Sequence, residues 1–114
     1  MKTLIATACL TMLAACGSSS KASGGPVTQT LKVTISKAGC APPAAAKPGR
    51  TKFEVTNDGT DDITELELMS GNHVVGEKED LTPGLSGSFT VTLKTGTYTT
   101  KCPGGSGGTL TVGG

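Results

Sequence analysis

Cysteines, carboxylates and a single histidine are the groups in this 114-residue chain able to bridge covalently, hold a metal or move a proton. Of the four cysteines, Cys9 lies inside an apolar N-terminal run and Cys16 directly follows Leu13-Ala14-Ala15, which leaves Cys40 and Cys102 for the body of the chain. An even pair in an exported domain has two ordinary uses: a disulfide, or two thiolates sharing a metal. Spacing alone leaves both open. Cys102 closes a strand-like run, KTGTYTTKC, and is followed by a glycine-rich loop at 103–108 and a short closing strand at 109–112. A thiol so placed stands at the mouth of a sheet, with a loop poor in side chains passing close by.

The carboxylates fall into two groups. Glu65 and Glu67 sit two apart on one predicted strand and share a face, the ordinary pattern of a solvated sheet surface. Glu77, Glu79 and Asp80 gather ahead of Pro83; such a cluster suits a hard cation, but its spacing matches no calcium loop and a wet surface also accounts for it. His73 is the one imidazole, beside the turn Gly71-Asn72, and Met69 shares the glutamate face as a soft donor. No Ser-His-Asp set, nucleophile elbow or acid pair at catalytic spacing can be assembled around this one histidine, so no enzyme is expected.

The elements that must position these groups are read from periodicity. Residues 1–15 form a lipoprotein signal peptide, with Lys2 as the charged start and Leu4 to Leu13 as the apolar stretch, too short to span a membrane. Leu13-Ala14-Ala15-Cys16 has the form of a bacterial lipobox, which would make Cys16 the lipidated first mature residue. The segment 16–26 then reads as a Gly/Ser-rich tether, and 27–114 as one domain. With a net charge of +1 and no aromatic platform, nucleic acid is not a partner.

From Gln29 onward the hydrophobic period is two. Leu31, Val33 and Ile35 alternate with polar residues; Pro42 and Pro43 mark 41–47 as an edge segment. Further strands are expected at 51–57, 64–69, 73–77, 86–93, 97–102 and 109–112, separated by Pro48-Gly49, Asp58-Gly59, Gly71-Asn72 and Pro83-Gly84. Such punctuation implies an all-β, antiparallel Greek-key β-sandwich of about seven or eight strands. Only two Phe, one Tyr and no Trp make its core small.

Several stretches, in order, resemble a family. The run FEVTNDG at 53–59, Glu65-x-Glu67, Val74-Val75-x-Glu77-x-Glu79, Leu81-x-Pro83-Gly84, Gly96-Thr97-Tyr98 with Cys102, and the early Cys40-x-Pro42 resemble the cupredoxin fold, and within it the cupredoxin-like domain of EfeO-type iron-uptake proteins. The likeness covers the whole expected domain. EfeO-type proteins often carry a further C-terminal peptidase-like helical domain, absent before Gly114, so the resemblance is to a stand-alone module. One departure stands out: a type-1 copper site needs two His, a Cys and usually a Met, and 103–108 holds neither His nor Met while Thr64 falls where the other His would stand. Blue-copper electron transfer is therefore not expected.

The resemblance implies candidate metal ligands at Cys40, Glu65 and Cys102, a set suited to copper, iron or zinc. It also implies an iron-permease or ferroxidase-type uptake system as partner. The function expected is a lipid-anchored module of the bacterial cell envelope that binds or passes iron or copper. The alternative is a β-sandwich stapled by a Cys40–Cys102 disulfide and used for adhesion or assembly without metal.

Overall fold

A computed structural model describes residues 25–114; the expected signal peptide, Cys16 and the tether up to residue 24 lie outside the described residues. Eight strands form two sheets packed face to face. One sheet holds β1 (Gln29–Ile35), β3 (Gly49–Asn57) and β6 (Ser86–Leu93) in the order β1-β3-β6. The other holds β2 (Ala45–Ala46), β4 (Leu66–Ser70), β5 (His73–Lys78), β7 (Gly96–Lys101) and β8 (Thr109–Val112) in the order β2-β8-β7-β4-β5. The alternation read from the sequence becomes the core: Val33, Ile35, Phe53, Val55, Leu66, Leu68, Leu110 and Val112 point inward and are buried. Burying a side chain such as Phe53 contributes about 2 kcal/mol, and its ring also stacks on Phe89 with centroids 5.0 Å apart.

Most neighbouring strands run antiparallel, but β1 with β3 and β2 with β8 run parallel. Parallel neighbours cannot be joined by a hairpin, so the chain crosses to the other sheet between them. The proline-bearing segment predicted as an edge contributes β2, two residues at the border of its sheet. The expected strand bounds shift by a residue or two: β3 starts at Gly49 and not at 51, β4 starts at Leu66 and not at 64, and β7 stops at Lys101, one residue short of Cys102. Cys102 is excluded because its carbonyl accepts from the amide of Gly105, 2.9 Å away, which turns the backbone out of the sheet.

The β4–β5 hairpin carries a bulge that decides what its outer face displays. Ser70 pairs with His73 and Met69 with Val74, but Leu68 pairs with Gly76, leaving Val75 as the extra residue. A one-residue slip moves every following side chain to the opposite face. Gly76 is thereby turned inward against Phe89 and Val91, where a β-carbon would lie 2.6 Å from the Phe89 ring. Glu77 moves outward, directly opposite Glu67.

Strand directions define two ends. At the distal end β1, β3 and β7 finish and residues 36–40, 58–65, 79–85 and 102–108 form the loops. At the proximal end the chain enters β1, turns at Pro48-Gly49, and passes from β6 to β7.

Candidate functional site

Cys40 and Cys102 meet at the distal end. Their sulfurs are bonded at 2.09 Å, with Cα atoms 6.4 Å apart, joining the loop after β1 to the end of β7 across 62 residues. Both residues are buried. Cys40 is held by its own backbone: its amide donates to the Ser106 carbonyl at 2.8 Å, and its carbonyl accepts the Thr100 hydroxyl at 2.9 Å. The same Thr100 hydroxyl accepts from the amide of Gly108 at 3.0 Å, so one buried threonine ties both cysteine loops to β7.

Glycine makes this closeness workable. Gly39 forms a bridge with Ser106 at a φ of 136°, and a β-carbon there would overlap the Ser106 carbonyl. Gly107 would likewise collide with the Thr100 carbonyl. The loop at 103–108 is thus glycine-rich because two backbones pass without room for side chains. Cys102 Sγ lies 3.6 Å from the Ser106 oxygen, a contact and not a hydrogen bond, since a disulfide sulfur carries no proton.

Asn57 organises the rest of the distal end, a role absent from the candidate residues of the sequence analysis. Its amide nitrogen faces three carbonyls, of Thr60 at 2.8 Å, Ile63 at 3.1 Å and Leu81 at 2.7 Å, while its side-chain oxygen accepts from the amide of Thr60 at 2.9 Å. One buried side chain therefore pins 58–65 to 79–85. A signal was present: Asn57 continues the inward parity of Phe53 and Val55, so its polar group had to find partners inside.

The remaining candidates are dispersed. Glu65 immediately precedes β4 and is half-exposed. His73 is exposed at the hairpin turn, away from the distal loops, and Met69 is half-buried opposite Val74. Among the described residues, no three His, Cys, Asp or Glu side chains gather as a metal site. A type-1 copper does not fit these residues. The Cys102 sulfur is bonded to Cys40, and the only imidazole is held on β5 outside the distal loops.

Negative charge is concentrated on the outer face of the hairpin. Glu67 has Glu77 on one side and Lys101 on the other. Glu77 holds its proton above the ordinary carboxylate range, chiefly because Glu79 hydrogen-bonds to it and adds its charge; slight desolvation and then Glu67 and Glu65 add to the shift. These carboxylates already crowd one another.

Residues 5–112 match the family model described as a cupredoxin-like domain. The chain belongs to the cupredoxin-like domain family. Among curated proteins it is 35% identical over 75 residues to the iron uptake system component EfeO of Yersinia pestis, a stretch covering 65% of this chain and 20% of that relative. The EfeO of Escherichia coli K12 is 33% identical over 73 residues, 63% of this chain and 19% of the relative. The chain thus spans about a fifth of the length of these relatives. Among solved structures, auracyanin B superposes with a TM-score of 0.63 at 20% identity, covering 81% of this chain and 94% of that one. The dithionite-reduced auracyanin of Roseiflexus castenholzii gives 0.57 at 16%, covering 80% and 100%. At such identity these two speak for the fold alone: a cupredoxin-like β-sandwich.

Proposed function

We propose that this chain is an exported, lipid-anchored cupredoxin-like module that handles iron or copper for an uptake or homeostasis system. It would be neither a type-1 copper electron carrier nor an enzyme. The observation that carries this reading is the likeness to the EfeO iron-uptake components over most of the domain. The acidic distal end supports it, since hard cations are met by oxygen ligands and the crowding around Glu77 would be relieved by a positive charge. Metal here is cargo. No gathered ligand set is present among the described residues, so the contact expected is weak and exchangeable, as suits a carrier. The partner would be an iron-permease or ferroxidase-type system, and Cys16 would hold the module at a membrane.

One observation favours a second reading. The bonded, buried cysteines already serve as a staple and leave no thiolate for a metal, which suits a β-sandwich used for adhesion or assembly. Iron uptake by cells lacking the chain separates the two. The metal-handling reading expects slowed radio-iron accumulation under iron limitation, restored by the wild-type chain. Uptake equal to wild type, with altered adhesion or envelope assembly, supports the second. Anchoring is read independently: Cys16→Ser should move the protein from the membrane to the fluid fraction, and identical partitioning overturns the lipobox reading.

A further inference from the structure

The two ends of the sandwich carry opposite charge. Every acidic residue except Glu54 lies between Asp58 and Asp80, in the distal loops or on the β4–β5 hairpin. The proximal end has no carboxylate side chain among its turns and carries Lys47, Arg50 and Lys94. Lys47 and Lys94 are exposed, and Arg50 is half-exposed. Lys52, the next cation along β3, is already paired with Glu54 at 3.6 Å. The N-terminal segment enters against the same three-cation end: the Thr28 amide donates to the Arg50 carbonyl at 2.8 Å, and the Gln29 side-chain amide donates to the Lys47 carbonyl at 2.6 Å.

We propose that this proximal end is a basic face that rests on an anionic lipid surface, so that the acidic distal end with the disulfide stands away from the membrane. The proposal rests on the lipid-anchor reading of Cys16. Eight residues lie between Cys16 and Gly25, making nine Cα-to-Cα steps, and a Gly/Ser-rich tether of that length has a typical reach of about 16 Å. The nine residues of β3 alone span about 30 Å. A tether shorter than the domain keeps the proximal end beside the lipid, whereas laying the distal end down would need the tether nearly fully stretched. Charge selects the same pose. Each cation within a screening length of an anionic surface favours the bound state roughly fivefold, and the distal carboxylates are repelled. Tethering makes the contact intramolecular, so three cations suffice to orient the domain although they could not recruit it from solution.

Lysine footprinting tests the pose without altering the domain. The mature chain is coupled through Cys16 to maleimide-bearing lipid in vesicles of phosphatidylcholine, with or without one-third phosphatidylglycerol, and acetylated by a succinimidyl ester. Peptide mass spectrometry then reads each lysine. On anionic vesicles at low salt, Lys47 and Lys94 should react several-fold more slowly than on neutral ones, while Lys37, Lys78 and Lys101 at the distal end keep their rates. Half-molar salt should abolish the difference. Arg50→Glu, which leaves both reporter lysines in place, should weaken it roughly twenty-five-fold in the underlying equilibrium, two factors of five for the two units of charge that a reversal changes. Unchanged rates at Lys47 and Lys94, or protection of the distal lysines instead, overturns the proposal. So does protection of both ends that grows with surface density on neutral lipid, which would mean head-to-tail pairing of copies. The maleimide supplies the tether chemically, so failure here counts against the basic face, while the fractionation of Cys16→Ser tests the anchor.

Discussion

Opening the Cys40–Cys102 bond should be the most damaging single covalent change available to this domain. The bond closes a loop of 62 residues, and in the chain-entropy treatment cross-linking such a loop stabilises the native state by about 4 kcal/mol through the unfolded ensemble. That is a large share of the roughly 5–15 kcal/mol typical of a small domain. With about 4–8 °C of Tm per kcal/mol at this size, the expected loss is about 20 °C. The double variant Cys40→Ala/Cys102→Ala and the reduced wild type should agree to within a few degrees, the variant being the lower because it also empties buried volume. With no Trp and one Tyr, far-UV circular dichroism is the suitable probe. Urea titration adds a second signature: the m-value should rise on reduction, because an unlinked chain exposes more surface when it unfolds. A Tm change below about 5 °C with an unaltered m-value would refute the staple account.

Other predictions address single groups. Asn57→Ala should cost about 3 kcal/mol or more in urea titration, because it strands three buried carbonyls and the Thr60 amide; Asn57→Asp should be no better, since a carboxylate cannot donate to carbonyls. Glu77 has its folded pKa raised above 4.5, so it binds its proton more tightly in the native state. Its contribution to stability is therefore complete below that value and is lost as pH rises through the raised pKa. Glu77→Gln should accordingly raise Tm slightly at neutral pH and flatten the fall in stability above pH 4.5; an unchanged profile would remove the crowding argument. Copper-loaded protein should show no intense blue thiolate band, since the Cys102 sulfur is not free and no histidine accompanies it; such a band would mean the distal loops rearrange on loading.

The legible and illegible parts of this fold divide by range. Local alternation at Leu31, Val33 and Ile35, or at Phe53 and Val55, exposes its inward face to any reader, and turn residues place the strand breaks. The parallel partners β1 and β3 escape such reading, because alternation says which side is wet and nothing about which strand lies alongside. The Val75 bulge escapes it too. An unbroken two-residue hairpin would have set Gly76 opposite Glu67, and the glutamate crowding depends on the slip that brings Glu77 there. For the cysteines, sequence leaves staple and metal pair both open; either needs the two loops together, and the close approach that Gly39 and Gly107 permit is a long-range fact no local pattern shows. Asn57 carried a readable sign in its inward parity, but its partners come from loops six and twenty-four residues away.

Metal retention by the purified mature chain tests the central claim most directly. The oxidised protein is equilibrated separately with ferric citrate and with cupric ion, resolved by rapid gel filtration on a column pre-equilibrated with the same metal, and assayed for metal per chain by mass spectrometry, with Glu65→Gln/Glu67→Gln/Glu77→Gln/Glu79→Gln as the comparison. The metal-handling account predicts metal above background that exchanges within the run when competing ligand is present and disappears in the fourfold variant. No retention of either metal by wild type at any loading ratio would contradict it and leave the stapled adhesion module as the better description.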